Sequence, residues 1–379
     1  MKYKNLERQD YELTCISPVH IGNGEILKPI DYIYDKENQR VLFLDEHKWK
    51  VYLSEHQLME PFCHYLQKEE KEKNLWTWIE NQQIPQEDIQ RITKSTSHIS
   101  AENASGLKAA KSGNEIQRFI KDGMGRPYIP GSSIKGCFRT SLLAYWINKN
   151  KLEARRYWRD IAKYKKEDKK CINRSMKYLE NQAFLCLKNP RIKYPGMTQS
   201  CLRGLSISDA VCVEDEVDTV ILRKIDAVAT SLQENKISVF RECLPPGTKL
   251  RFSITFDQLM MREMGITSLA EVIRASRKFT KGILDKQKEI FEKTYTAEFK
   301  HAELADMLLG GGTGFQSKTI IYNLASSFEE GRQTVANKLY NQFGKYHDCR
   351  DTQISPRTLK LTRTTNDRWI MGLCSLKEV

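Results

Sequence analysis

The sequence predicts an α+β fold in which helices cover one face of a β-sheet. Alternating stretches typical of strands open the chain and return at 205–213, 238–244 and 249–257. Helical patterns separate these stretches without the strict strand–helix–strand rhythm of a parallel sheet. The chain has 379 residues, of which 40% are hydrophobic. It can therefore bury a sizeable core, as one elaborated domain or as two to three domains.

The N-terminal part combines strands with a block of helical character. A first strand is predicted at 11–17, because its residues alternate and are rich in β-formers, and Pro18 ends it. A flexible turn is predicted at 22–24, and a hairpin follows at 30–44. Residues 46–112 are polar and mostly helical in pattern, which indicates a helical insertion outside the sheet.

The rest of the chain is divided between the middle strands and further helices. A helix is predicted at 134–147, and a turn at 245–248 joins the last two middle strands as a hairpin. After residue 268 the pattern is mainly helical, with a final strand at 369–374. We therefore divide the chain into two regions. Residues 1–265 form a sheet region with its helical insertion, and residues 266–379 form a mainly helical C-terminal region that contains the glycine-rich loop at 310–314.

The positive charge is concentrated in one part of the chain. The formal net charge is +13, and residues 151–200 carry fourteen Lys or Arg against five acids. Apolar residues recur there at helical spacing, which predicts one or two amphipathic helices with a basic outer face. Such a face is often merely solvated, but an excess of this size favours a polyanionic partner. The helices lack the broad Leu/Phe/Trp face that membrane binding needs, so nucleic acid is favoured.

Several classes of protein are disfavoured by what the sequence lacks. The longest apolar stretch is 141–147, too short for a membrane span, and the first residues lack a signal peptide's apolar core. The ten cysteines form no C-x-x-C pair, and the seven histidines show no metal-ligand spacing. We expect a cytoplasmic protein with no membrane association, no metal and no cofactor.

The start of the predicted helix at 134–147 is the first candidate binding site. Ser132 or Ser133 is expected to cap the helix, whose free N–H groups and partial positive charge suit an anion. Lys135 and Arg139 are four residues apart and share a face. Gly136 between them weakens the helix, which makes sense if another backbone must come close. The simpler alternative is a capped helix with two surface cations.

The second candidate is the glycine-rich segment around 310–314, which contains more glycines than a turn needs. Its sequence differs at one position from the nucleotide phosphate-loop motif G-x-x-x-x-G-K-[ST], because Ser317 stands where the motif has its second glycine. The preceding residues are predicted to be helical, whereas such a loop follows a strand, so an NTPase is disfavoured. A loop that lays RNA backbone against main-chain N–H groups fits better, with Phe315 as a stacking face. The candidate residues are Gly310, Gly311, Gly312, Gly314 and Phe315.

The third candidate is His20, in the segment that follows the first strand. Its imidazole is suited to a general base or to an RNA contact, although a lone histidine more often has a packing role. Metal-independent RNA cleavage also needs an acid and a phosphate stabiliser, and the sequence places neither beside His20. Asp209 follows a middle strand and is expected to cap a turn, with a ligand or base role as the alternative.

These segments together resemble the RAMP superfamily, the RNA-binding proteins of CRISPR systems. The matching motifs are, in chain order, S-P-V-H-I-G-N-G, I-P-G-S-S-I-K-G-C-F-R-T, L-S-I-S-D-A, R-E-C-L-P-P-G-T-K-L-R-F and L-L-G-G-G-T-G-F, which span about residues 11 to 320. The single glycine-rich loop and the long tail resemble the fifth-named subunit family of type III-A (Csm) effector complexes. That family sits at the 3′ end of the CRISPR guide RNA.

The resemblance implies a ferredoxin-like, RRM-type core with a helical insertion and a largely helical C-terminal region. It implies guide-RNA binding, a part in forming or protecting the 3′ end, and antiviral defence. Ser132, Ser133, Lys135 and Arg139 match the family's RNA-facing helix start, and 310–314 matches its glycine-rich loop. Implied partners are the other Csm subunits, especially the repeated backbone subunit, and a host trimming nuclease.

Two hypotheses about activity remain open at this stage. The favoured hypothesis is a binding subunit without catalysis, because the backbone subunit's cleaving Asp has no convincing match, Asp31 lying in strand-like surroundings. The alternative is a metal-independent RAMP endoribonuclease that processes precursor guide RNA with His20.

Overall fold

Two β-sheets form the framework of the protein in the computed structural model, which describes residues 5–67, 73–109, 114–162, 169–187, 196–344, 351–365 and 367–379. The strands in these ranges are β1 (Leu6–Cys15), β2 (Gly22–Leu27), β3 (Tyr32–Asp35), β4 (Arg40–Leu44), β5 (Thr93–His98), β6 (Glu115–Phe119), β7 (Tyr128–Ile129), β8 (Leu205–Ile207), β9 (Ala210–Cys212), β10 (Val220–Val228), β11 (Glu234–Cys243), β12 (Lys249–Asp257), β13 (Met307–Leu308), β14 (Thr358–Arg363), β15 (Arg368–Ile370) and β16 (Leu373–Glu378). The α-helices are α1 (Glu46–Glu55), α2 (Met59–Gln67), α3 (Leu75–Asn81), α4 (Gln86–Ile92), α5 (Ala101–Ala109), α6 (Gly131–Lys149), α7 (Lys151–Ala162), α8 (Lys169–Phe184), α9 (Gln258–Met261), α10 (Leu269–Phe291), α11 (Thr296–Ala302), α12 (Ile321–Leu324) and α13 (Phe328–Phe343).

The first sheet has the order β13-β16-β1-β12-β9-β7, and β8 also pairs with β12. Its strand pairs are antiparallel. Alternate residues of β1 and β12 point inward, so that Leu13 and Ile254 are buried in one cluster with Phe138 of α6 and Val272 of α10. Helices therefore cover one face of this sheet, which confirms the predicted mixture of strands and helices.

The second sheet has the order β2-β6-β11-β10-β5-β4-β3, with β14 added to β10 and β15 added to β14. The predicted hairpin at 30–44 is confirmed by the antiparallel pair β3 and β4. The expected hairpin across 245–248 is wrong, because β11 lies in the second sheet and β12 in the first. Pro245 and Pro246 lack an N–H and cannot take part in a ladder, which suits a chain that passes between sheets.

The block at 46–112 is only partly the helical insertion that its pattern predicts. Residues 46–92 contain α1 to α4, but Thr93–His98 forms β5, which pairs with β4 and β10. Ser97 is fully buried there, and its hydroxyl is 2.6 Å from Thr219 Oγ1 and 2.9 Å from Glu242 Oε1. Partners from distant strands thus make this polar stretch part of a sheet.

The C-terminal region contains helices and also completes both sheets. α10 to α13 follow the predicted helical pattern, but β14 pairs with β10 and β16 pairs with β1. The predicted strand at 369–374 is interrupted at Gly372, whose φ is +80° and whose added β-carbon would lie 2.4 Å from Leu309 O. Likewise, residues 22–24 begin β2 and do not form the expected turn.

None of the helices in the described ranges is long and apolar enough to cross a membrane. Over the same ranges, no three His, Cys, Asp or Glu side chains come together where they could hold a metal ion. The cysteines described are free thiols, and Cys15, Cys201, Cys243 and Cys374 are buried.

Candidate nucleic-acid interface

The three candidate segments meet around one cleft of about 320 Å³. The segment after β1 forms one side, the first turns of α6 form another, and the glycine-rich loop with its flanks forms the third. Sequence separation had hidden this proximity, since almost 300 residues lie between the first and last segments. The cleft is lined by Ile21, Gly22, Ser133, Gly136, Cys137, Thr140, Leu308, Leu309, Gly310, Gly311, Ser317 and Lys318.

The N-terminus of α6 is held by a carboxylate from the connection between β8 and β9. The expectation that Ser132 or Ser133 caps the helix is wrong, because the capping position is Pro130. Asp209 Oδ1 instead accepts a hydrogen bond of 2.7 Å from Gly131 N. A β-carbon at residue 131 would lie 2.2 Å from Ile207 O, so only glycine allows the helix to begin against this turn.

The predicted RNA-facing residues of α6 differ in whether they already have a partner within the protein. Ser132 is exposed, and Ser133 is half-buried at the cleft. Lys135 is half-buried, which lowers the pKa of its ammonium group, and it has no ion-pair partner within the described ranges. Arg139 is exposed but already paired: its Nη2 is 2.6 Å from Glu180 Oε2 on α8, and its guanidinium lies over the Phe184 ring.

Gly136 on the same helix faces open space. A β-carbon at this position would have no heavy atom within 4 Å, apart from the backbone of its own helix turn. No close protein backbone therefore requires a glycine here, although Gly136 lines the cleft. The space in front of it is left free for a molecule from outside.

The glycine-rich loop, by contrast, is packed into the protein. Gly310 and Gly312 have φ values of +89° and +87°, a conformation that side chains with a β-carbon rarely adopt. Gly311 N donates a hydrogen bond of 2.7 Å to His20 O, and a β-carbon at residue 310 would lie 2.2 Å from that oxygen. An added β-carbon at residue 312 would lie 2.8 Å from Met371 Sδ.

The flanks of the loop do not form a nucleotide phosphate loop. The residues before it form the short strand β13, so the helix expected up to Leu309 ends at Ala302. A single 3₁₀ turn at Gln316–Lys318 follows, without the long helix of a phosphate loop. The Ser317 hydroxyl is used internally, 2.8 Å from Thr313 Oγ1. Phe315 is 37% exposed, as a stacking face requires, and Lys318 is exposed at the cleft.

His20 lies behind the glycine-rich loop. Its side chain is 4% exposed, and its Nδ1 is 2.7 Å from Glu242 O, so Nδ1 carries the proton and donates it. Burial lowers the pKa of His20 to about 4, and the ring is therefore neutral at pH 7. The ring also packs edge-on against Phe119. This position suits a residue that fixes the loop better than a base that reaches a substrate.

Glu242, which the sequence analysis did not single out, is the centre of the buried network behind the loop. Its carboxylate is fully buried and lies 2.8 Å from Arg118 Nε and 2.7 Å from Lys121 Nζ. Thr219 Oγ1 also donates to it, at 2.8 Å. Burial opposes ionisation, but the two cations and these hydrogen bonds bring the pKa of Glu242 down to about 2. The available signal was a charged pair, Arg241 and Glu242, between apolar residues of a predicted strand.

Comparison with protein families identifies the group to which this architecture belongs. Residues 12–315 match the sequence model of the RAMP superfamily, a range that contains the segment after β1, the start of α6 and the glycine-rich loop at 310–314. The chain belongs to the RAMP superfamily. The superfamily inferred from the motifs is therefore confirmed.

Curated relatives of this RAMP protein carry the name "CRISPR system Cms protein Csm5". The relative from Mycobacterium tuberculosis is 24% identical over 98% of both chains. The relative from Streptococcus thermophilus is 26% identical and covers 81% of this chain and 78% of its own. A third, from Enterococcus italicus, is 23% identical over 97% of this chain and 96% of its own.

Two solved structures share the fold of this RAMP protein. A chain in the cryo-EM structure of a Csm–crRNA–target RNA ternary complex of a type III-A CRISPR-Cas system has a TM-score of 0.67, with 19% identity and coverage of 97% of this chain and 100% of that chain. The crystal structure of T. onnurineus Csm5 has a TM-score of 0.62, with 19% identity and coverage of 96% and 99%. At this identity the likeness shows a common fold.

Proposed function

We propose that this RAMP protein is the guide-RNA-binding subunit at the 3′ end of a type III-A (Csm) effector complex. It would take part in guide-RNA maturation and antiviral defence, without catalysis of its own. The observation that carries this proposal is the meeting of three distant segments around one cleft. Relatives named Csm5 and the likeness to a chain of a Csm–crRNA–target RNA complex support the assignment to such a complex.

The chemistry of the cleft suits a single RNA strand. Lys318 lines the cleft, and Lys135 stands one residue before the cleft-lining Gly136. Neither ammonium group has an ion-pair partner within the described ranges. Cations without partners attract phosphates, and Phe315 offers an exposed ring on which a base can stack. The partners under this proposal are guide RNA, other Csm subunits, above all the repeated backbone subunit, and a host trimming nuclease.

We also infer that the first sheet is the ferredoxin-like core that the family resemblance implies. The support is the chain order strand, helix, strand, strand, helix, strand, which β1, α6, β8, β12, α10 and β13 provide. Within the sheet, β16 is inserted between β1 and β13. Under this inference the RNA-facing helix α6 is the first of the two core helices.

The alternative hypothesis, a metal-independent endoribonuclease, requires His20 to reach the reacting atoms of RNA. The buried ring already uses Nδ1 in a hydrogen bond to Glu242 O. A general base also works best with a pKa near the working pH, whereas the pKa of His20 is about 4. These observations favour a binding subunit and give His20 a positioning role.

The proposed function is tested by purifying the protein from its native host and sequencing the RNA that accompanies it. We expect short RNAs with a common repeat-derived 5′ tag and ragged 3′ ends, which indicate trimming by another nuclease. Absence of RNA would contradict the proposal. Uniform ends with a 2′,3′-cyclic phosphate, together with RNA cleavage by the purified protein in EDTA, would favour the endoribonuclease.

A second experiment tests whether the start of α6 faces RNA. Lys135→Ala should weaken binding of single-stranded RNA and reduce the slope of log affinity against log salt by roughly 0.7, the value for one lost phosphate contact. Arg139→Ala is the matched comparison on the same face, and it should leave the slope nearly unchanged because Arg139 pairs with Glu180. Equal slopes for Lys135→Ala and the wild type would show that this face does not contact RNA.

A further inference from the structure

A group of cations on the second sheet lies next to the glycine-rich loop. Arg241 belongs to β11, Lys224 to β10 and Lys360 to β14. Strand register puts Arg241 opposite Leu222 and Lys360 opposite Asp226, so these side chains share one face of the sheet. None of these residues belongs to the three segments that the sequence indicated. We call Lys224, Arg241 and Lys360 the cationic cluster.

The cationic cluster touches the loop directly. A β-carbon at Gly312 would lie 3.7 Å from Arg241 Nη1, and one at Gly314 would lie 3.4 Å from Lys360 Cγ. The cluster is thus covered by loop backbone that carries no side chains at these two points. A strand of RNA that crosses the loop would pass next to it.

Asp226 pairs with two of the three cations. Asp226 Oδ2 is 3.0 Å from Lys360 Nζ and 3.1 Å from Lys224 Nζ. Arg241 has no hydrogen-bond or ion-pair partner in the described ranges, and its Nε and Nη1 are buried. Two positive charges therefore remain without a counter-charge in a largely buried place, where an unpaired charge is costly.

Burial is the main cause of the lowered pKa values of Arg241 and Lys360. Burial lowers the pKa of the Arg241 guanidinium, whereas the nearby Asp226 opposes this effect. Burial also lowers the pKa of Lys360. The charge and hydrogen bond of Asp226 oppose this effect, and the positive charges of Lys224 and Arg241 add to it. Proteins pair buried charges, and a planar guanidinium matches two oxygens of a phosphate. The partner missing from this cluster is therefore an anion with oxygen acceptors.

We infer that the cationic cluster is a phosphate-binding subsite, in which Arg241 binds a phosphodiester of an RNA strand that crosses the glycine-rich loop. This inference rests on the proposed function, because it takes the ligand to be RNA. It also gives the loop a second role. Its glycines pack against His20 on one side and, at Gly312 and Gly314, place no side chain against Arg241 and Lys360 on the other.

The test compares the full-length wild type with Arg241→Met for binding of a short single-stranded RNA. We expect Arg241→Met to weaken binding about tenfold to a hundredfold, as for a lost hydrogen bond between charged groups. The salt slope should also fall by roughly 0.7. Arg241→Lys, which keeps the charge and loses the planar fork, should bind with intermediate affinity. Arg91→Met is the control, because Arg91 is an exposed cation on α4, a helix whose buried residues belong to a separate hydrophobic cluster.

Stability separates a ligand site from a structural role. Removal of a buried charge without a partner should leave the free energy of unfolding of Arg241→Met equal to that of the wild type or higher. If Arg241 instead pairs with Asp226 inside the protein, the variant would be less stable and would bind RNA as the wild type does. That result would overturn the inference.

Two further measurements identify the ligand. The first uses a series of RNAs in which one phosphodiester at a time is replaced by a neutral methylphosphonate. At one position the replacement should lower the affinity of the wild type and leave the affinity of Arg241→Met unchanged. A melting temperature raised by inorganic phosphate only in the wild type, with equal RNA affinities, would assign the subsite to free phosphate and overturn the RNA assignment. Wild-type protein that binds no RNA would refute the proposed function itself, whereas RNA binding unaffected by Arg241→Met would refute the subsite alone.

Discussion

Gly136 and Gly311 line the same cleft, and an added β-carbon would meet very different surroundings at the two positions. At Gly136 it would have no neighbour within 4 Å, whereas at Gly311 it would lie 2.9 Å from His20 Cδ2. The loop glycines are needed by the protein's own packing. That packing does not require Gly136. Glycine at this position lowers the stability of α6 relative to alanine and leaves the surface in front of it open.

The two sides also differ in how they are held in place. Gly311 N of the glycine-rich loop donates a hydrogen bond to His20 O, and the His20 ring donates one to Glu242 O. The Glu242 carboxylate in turn forms ion pairs with Arg118 and Lys121. The first turn of α6 has one hydrogen bond of this kind, from Gly131 N to Asp209. Changes on the loop side should therefore reduce stability, and changes on the helix side should mainly reduce RNA binding.

Glu242→Gln is expected to have the largest effect, because it removes the negative charge at the centre of the buried network behind the loop. The change leaves the cations of Arg118 and Lys121 buried without a counter-charge, and the free energy of unfolding should fall by about 3–5 kcal/mol. Since the pKa of Glu242 is about 2 in the folded protein and 4.5 ordinarily, its contribution is present above pH 4.5 and lost as the pH falls toward 2. Urea unfolding at neutral pH measures the loss, with the exposed Glu214→Gln as the control. A loss no greater than that of the control would contradict this account.

Gly310→Ala should have the next largest effect. The substitution combines a strained φ of +89° with overlap against His20 O, and it should lower the free energy of unfolding by about 2–5 kcal/mol. Gly125→Ala is the matched control: its φ is +81°, but an added β-carbon would meet nothing within 4 Å. The control should therefore lose only about 1–2 kcal/mol from strain. Equal losses in chemical denaturation would show that the contact with His20 is unimportant.

The buried imidazole should make stability depend on pH. His20 has a pKa of about 4 in the folded protein and 6.5 ordinarily, so between these values the unfolded chain binds a proton that the folded protein does not. The free energy of unfolding should thus be highest above pH 6.5 and fall by at most about 1.4 kcal/mol per pH unit as the pH drops through this window. Unfolding of His20→Asn should show a weaker dependence, whereas the exposed His47→Asn should retain it. An unchanged dependence in His20→Asn would rule out His20 as the cause.

The sequence could predict the location of the site better than the roles of its residues. The segments around His20, Ser133 and Gly310 were recognisable from turn residues and helix-start signals, and they do meet. Local sequence could not tell Gly136 from Gly311, because the difference lies in what packs against each backbone. Arg139 matched the family's RNA-facing pattern, but its partner Glu180 comes from another helix.

The parts of the fold that escaped prediction depend on contacts between distant residues. Thr93–His98 has the composition of a loop, and it becomes a strand because Ser97 bonds to Thr219 and Glu242 on other strands. The hairpin at β3 and β4 was predictable because its pairing is local. Glu242 and Arg241 were missed for a related reason. The partners of a charged side chain in a strand come from neighbouring strands, which the local sequence does not identify.

Gly136→Ala should have the smallest effect on stability and the opposite sign. Alanine should raise the free energy of unfolding by about 0.5–1 kcal/mol, because it restores helix propensity where nothing clashes. RNA affinity should nevertheless fall, and Gly136→Leu, which fills more of the cleft, should lower it about tenfold, equivalent to 1.4 kcal/mol. Gly282→Ala is the control, since Gly282 lies within α10, also faces open space and lines another cavity. It should gain similar stability and leave RNA affinity unchanged. If both alanine variants bind RNA like the wild type, the open space at Gly136 is not where the RNA lies.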